Sequence, residues 1–105
     1  MALTRSFKET VKARAERDPA LREALLTEAV ERFLAGDVAT GKAVLRDYIN
    51  ATIGFERLAA ETGTPPKSLM GMLGPKGNPT ASNLFAVLSK LQQASGVNLA
   101  IVAKC

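Results

Sequence analysis

Residues 55–73 read FERLAAETGTPPKSLMGML, and their spacing constrains the fold more than any other stretch of the chain. Leu58 and Ala59 fall on the inner side of a first helix. Gly63 comes four residues after Ala59, where the chain must leave that helix through a left-handed turn that a residue without a Cβ adopts most cheaply. Leu69, Met72 and Leu73 then recur at helical spacing, so a second helix can pack back on the first. Two helices joined in this way form a helix-turn-helix. The residues left outward, Lys67, Met70, Gly71 and Gly74, hold the positions that enter the DNA major groove in that motif.

The flanking sequence is also helical. Ser6-Phe7-Lys8-Glu9 fits a capping box that opens a helix carrying Phe7, Val11 and Ala15. Asp18-Pro19 reads as N-cap and first position of a further helix that stops at Gly36. Its stripe of Leu21, Leu25, Ala29 and Phe33 is widened by Leu26, Val30 and Leu34, which suggests contacts on two sides. Asp37 caps the next helix, whose inner face would be Val38, Gly41, Leu45, Tyr48, Ile49 and Thr52. Gly41 costs about 1 kcal/mol of helix propensity relative to alanine, and close approach of a neighbouring helix would explain it.

After residue 73 comes GPKGNPT, a tight loop, with Asn78 driven toward extended geometry by Pro79 and Thr80 placed as an N-cap. A last helix buries Leu84, Val87, Leu88 and Leu91 and ends at Gly96. The tail VNLAIV alternates, with Val97, Leu99 and Ile101 on one side, and predicts the chain's one strand. A lone strand cannot satisfy its own backbone groups, so the same strand of a second subunit is the economical partner. Val97, Leu99 and Ile101 are therefore the expected dimer contacts.

Composition removes most other functions. The 105 residues suffice for one domain with a modest core, and they include no histidine and one cysteine, Cys105. The commonest general base and the usual zinc ligands are missing, so neither an enzyme, a metal site nor a bound cofactor is expected. No apolar run approaches the roughly 20 residues that span a bilayer, and the start lacks the apolar segment of a signal peptide. These features predict a cytoplasmic protein without membrane contact.

The net charge of +4 is unevenly spread: from residue 62 onward the only charges are Lys67, Lys76, Lys90 and Lys104. A half without carboxylates suits a surface that faces phosphates. Thr64 is expected to cap the second helix of the motif, with Pro65 and Pro66 in its first turn, where N–H groups have no helical partner. Lys67 would sit against the unfavourable end of the helix dipole, a penalty that a phosphate or guanine edge reverses. Met70 can touch a thymine methyl or pack at a protein interface, and Gly71 can admit the backbone close to a duplex. With so few bidentate donors, specificity would depend on Lys67, Ser68 and DNA shape. Lys76 and Asn78 in the loop, and Thr80, Ser82 and Asn83 at the next helix start, complete the expected phosphate-binding surface.

Gly36-Asp37, the Leu-Ala-x-x-Thr-Gly of residues 58–63, Lys67-Ser68-Leu69 and Gly77-Asn78-Pro79-Thr80 carry a family resemblance. From about residue 28 to the end, the chain resembles the Xre-type helix-turn-helix proteins known as addiction-module antidotes (antitoxins). The resemblance implies a dimeric operator-DNA-binding protein that represses its own operon and neutralises a toxin encoded beside it. It places the recognition helix at residues 66–73. This chain departs from the family at Met70, where a tyrosine is usual, and at Gly71, where a basic or polar residue is usual. Residues before about 19 lie outside the resemblance, leaving dimerisation, toxin binding and core packing open for them. A protein-interaction module, with the helix-turn-helix as scaffold, is the competing expectation.

The expected fold is therefore mainly α: one lambda-repressor-like helix-turn-helix domain over residues 1–105, with about five helices and a short C-terminal β-strand. Residues 1–54 would supply the N-terminal helices, 55–73 the motif, and 80–105 the last helix and dimerising strand.

Overall fold

Local chemistry accounts for where each helix begins and ends in the computed structural model, which describes residues 18–104. The capping box at residues 6–9 and Cys105 lie outside them. Five helices follow one another: α1 (Pro19–Leu34), α2 (Val38–Ala51), α3 (Phe55–Thr62), α4 (Pro66–Met72) and α5 (Ala81–Ser95).

Asp18 caps α1, its carboxylate accepting from the N–H groups of Ala20 at 3.0 Å and Leu21 at 3.3 Å. Asp37 caps α2 by accepting from the Thr40 N–H at 3.2 Å, and Thr80 caps α5 by accepting from the Asn83 N–H at 3.1 Å. Gly63 and Gly96 end α3 and α5 in the left-handed region, at φ 71° and 69°.

The start of α4 differs from expectation. Its N-cap is Pro65, with φ −58° and ψ 144°, and only Pro66 lies inside the helix. The reason is the proline pair itself. A residue that precedes proline is forced out of the helical region, so Pro65 stays extended and Thr64 is one position too early to cap.

The core draws on all five helices. Leu26 and Ala29 of α1, Leu45, Tyr48 and Ile49 of α2, Phe55, Leu58 and Ala59 of α3, and Val87, Leu88 and Leu91 of α5 form one cluster with Leu69 and Leu73. α1 packs along α2, while α3 contacts both α4 and α5. Gly41 lets α1 and α2 close up: a Cβ there would stand 2.7 Å from Cδ1 of the Phe33 ring.

A seven-residue helix such as α4 is not stable alone. Leu69 and Leu73 are buried to 1% and 0% exposure, and burial of a leucine side chain contributes about 2 kcal/mol. That burial fixes which side of α4 faces outward.

Two expected inner faces are narrower than the sequence stripe. Val38 is 45% exposed and Leu34 is 63% exposed. Both sit at the α1–α2 connection, and Leu34 lines an open groove with Phe85 and Ile101. No strand occurs among the described residues, and 97–104 carry no regular secondary structure. No strand among the described residues pairs with this tail; the Leu99 N–H is taken instead by Gln92 Oε1 at 2.7 Å. Val97 and Leu99 pack on the core, but Ile101 is 76% exposed, so the three residues do not share one face.

Candidate nucleic-acid interface

With Leu69 and Leu73 turned inward, α4 leaves Lys67, Ser68, Met70 and Gly71 exposed. Pro66 and Thr64 are half-buried beside them, and the expected inner residue Met72 is partly buried against the core. Gly74, expected to point outward, is half-buried, and its carbonyl is engaged as described below.

The loop after α4 doubles back on it. A Cβ on Gly77 would stand 2.2 Å from the carbonyl oxygens of both Gly71 and Met72. This close approach brings Lys76 and Asn78, both exposed, to the C-terminal end of α4. Two residues later the chain enters α5, where Thr80, Ser82 and Asn83 are exposed around its first turn. The candidate residues from 66 to 83 thus follow one another along the chain as α4, a loop folded back on its end, and the first turn of α5. Thr80 already uses its hydroxyl as a cap, which leaves that oxygen's second lone pair and its proton for another partner.

The charge of this part of the sequence is one-sided. No carboxylate side chain occurs after Glu61. Glu61 itself, the acid nearest in sequence, is drawn toward Arg57 Nε at 3.4 Å. That pair is exposed, so it adds little stability, but it offsets the charge that would otherwise repel a polyanion. Among the described residues no group of histidine, cysteine, aspartate or glutamate side chains is placed to hold a metal ion.

No protein-family model, curated protein or solved structure matches this chain.

Lys42 and Arg46 were not among the expected site residues. Lys42 is 5% exposed, and its Nζ donates to the carbonyl oxygens of Gly74 at 3.0 Å and Gly77 at 2.6 Å. Arg46 Nη1 donates to the Leu73 carbonyl. A cation at the C-terminal end of a helix is favoured by the dipole and by the carbonyls left without helical partners. A signal was present: Lys42 precedes Leu45 by three and Ile49 by seven residues, on the inward stripe of α2.

A second exposed surface lies away from α4. Val30 and Leu34 of α1, Phe85 and Leu88 of α5, and Ile101 and Val102 of the tail line one apolar groove. Phe85 is 66% and Val102 74% exposed. Phe85 had no place in the sequence reading because it lies off the buried stripe of α5. No described helix is long and apolar enough to cross a membrane.

Proposed function

We propose that the protein is a sequence-specific DNA-binding regulator that docks α4 in the major groove of a duplex. One observation carries the reading: α4 buries Leu69 and Leu73 while exposing Lys67, Ser68, Met70 and Gly71, in a stretch of sequence with no carboxylate side chain after Glu61. In the helix-turn-helix arrangement that this supports, α3 is the supporting helix and α4 the reading helix. Lys67 would meet a phosphate or a guanine edge. Lys76 and the first turn of α5, at Ser82 and Asn83, would take neighbouring phosphates through side chains and free N–H groups. Phosphate contacts then supply most of the affinity, and DNA shape much of the specificity, because the exposed face of α4 offers few bidentate donors.

A twofold dimer fits this reading. Two copies of α4 would reach successive major grooves about 34 Å apart on a pseudo-palindromic site. The tail is the expected contact, here as a strand formed only in the assembly, with Ile101 and Val102 rather than Val97 as its outer residues. Autorepression of an operon that encodes an antitoxin and toxin, in the cytoplasm, is the biological setting that the Xre-type resemblance suggests.

The groove of Leu34, Phe85, Ile101 and Val102 favours a second reading, in which the domain chiefly binds protein. Selection of random-sequence duplexes on the purified protein separates the two. Recovery of a consensus, with affinity that falls as salt rises, supports the regulator; failure to enrich any duplex favours the interaction module. In the first case Lys67→Ala should flatten the log–log salt dependence by about one unit per protomer.

A further inference from the structure

We infer that Lys42 and Arg46 are positioning residues of the α4 surface: they hold residues 73–77 in place so that α4, Lys76 and the start of α5 meet a duplex as one rigid unit. The inference rests on the DNA-binding reading above.

Lys42 and Arg46 stand four residues apart on α2, so both reach the same side. Between them they engage three carbonyls, those of Leu73, Gly74 and Gly77. These carbonyls span the whole turn that reverses the chain after α4. Leu73 anchors the start of the turn in the core, but beyond it come only Pro75, Lys76 and two glycines, none of them a core residue. Past Leu73 its place is set by the carbonyls' hydrogen bonds from the two cations, together with the N–H bonds of Gly74 to the Gly71 carbonyl at 3.2 Å and of Gly77 to the Gly74 carbonyl at 3.0 Å.

Lys42 stabilises the fold, since its loss would leave two carbonyls without their donor. Removing its ammonium from water is nonetheless costly. A methionine would fill the same volume. It could not hold two carbonyls that lie three residues apart at 3.0 and 2.6 Å. What the ammonium supplies is geometry: charge-assisted bonds that are directional and stronger than neutral ones. The 5% exposure of Lys42 leaves its Nζ facing the loop rather than solvent, so it fixes the phosphate-facing residues without being one of them.

The test uses the full chain and a duplex recovered on the wild-type protein. Lys42→Met and Arg46→Met are compared with Arg46→Lys, which keeps a donor and a charge at the half-buried position. Amide hydrogen exchange at residues 74–80, thermal melting, and the affinity and salt slope for that duplex are measured together. Both methionine variants should exchange faster across the loop and bind about tenfold more weakly. Their slope should drop by about one unit per protomer as Lys76 loses its fixed place. Arg46→Lys should stay near wild type in every readout. Should Lys42→Met fail to fold, Arg46→Met carries the test, since it leaves the buried lysine in place. Faster loop exchange with unchanged affinity and slope would reduce the pair to a structural role and overturn the inference. Unchanged exchange in a folded variant would overturn it as well. If the wild type recovers no duplex, the DNA reading itself fails and the positioning role falls with it.

Discussion

Gly77 is pressed against the backbone of Met72, so that a Cβ at position 77 would stand 2.2 Å from the Met72 carbonyl oxygen. The obstacle is main chain, which cannot swing aside as a side chain does. Gly77→Ala should therefore force the loop off the end of α4 and disturb the Lys42 bond to the Gly77 carbonyl. Overpacking of this kind costs about 1–3 kcal/mol, read as a lower urea midpoint. Duplex binding should weaken in parallel. A variant with wild-type stability would show that the loop can leave α4 without consequence.

Gly71, inside α4, makes the opposite case. Nothing lies within 4 Å of a Cβ built there, and its φ is ordinary. Gly71→Ala should raise stability by up to about 1 kcal/mol through helix propensity. If the α4 backbone comes close to a duplex, the same methyl should weaken binding. Higher melting with lower affinity is the expected pair of results. Higher melting with unchanged affinity would move the duplex away from Gly71.

These two glycines show what was legible in the sequence and what was not. Caps and turns follow from chemistry within four residues, so Asp18, Asp37, Gly63, Thr80 and Gly96 stand where the sequence puts them. Thr64 does not, because two local rules compete there. Proline suits the first turn of a helix, yet the residue before a proline is kept out of it, and the second rule decides. Gly71 and Gly77 look alike as letters, and only the fold shows that one faces open space and the other a carbonyl. The bonds from Lys42 to Gly74 and Gly77 join residues 32 and 35 apart. No periodicity reaches that far, and a lysine in a sequence reads as solvated by default. The tail illustrates a further limit: alternation marks a strand-like segment but cannot supply the strand it must pair with.

The pH dependence of stability has one arm at each extreme. Tyr48 is fully buried, and desolvation pushes its phenol above the ordinary 10.0, partly opposed by its hydrogen bond with Ser95. A raised folded-state value means the stabilisation is complete below about pH 10 and is lost as pH rises through the folded value. Tyr48 is the chain's only tyrosine and there is no tryptophan, so absorbance at the phenolate band reports this residue alone. Its ionisation should lag that of a free tyrosine and coincide with loss of helix by circular dichroism. Ionisation at the ordinary value in a folded protein would contradict the burial. At the acid end, the hydrogen bonds from Thr40 hold the Asp37 carboxyl below 3.8. That contribution is present above the ordinary value and disappears as pH falls through the lowered one. Asp37→Asn, which keeps a capping oxygen without the charge, should flatten the acid arm.

Leu99 and Ile101 separate folding from assembly. Leu99 packs on the core and ties its N–H to Gln92, whereas Ile101 is 76% exposed at the rim of the apolar groove. Aspartate at 99 places a charge against buried apolar side chains and should lower the melting temperature of the protomer itself. Aspartate at 101 meets water in the protomer and should leave its intrinsic stability nearly unchanged. In a dimer closed by the tail, however, each Ile101→Asp chain brings a carboxylate into the interface, and the twofold axis supplies a second. Sedimentation equilibrium should then show a monomer for Ile101→Asp at concentrations where the wild type is dimeric. Duplex affinity should drop as well, because two half-sites are no longer bound together. An Ile101→Asp protein that remains dimeric would remove the tail from the interface and direct attention to Leu34 and Phe85, the groove residues contributed by the helices.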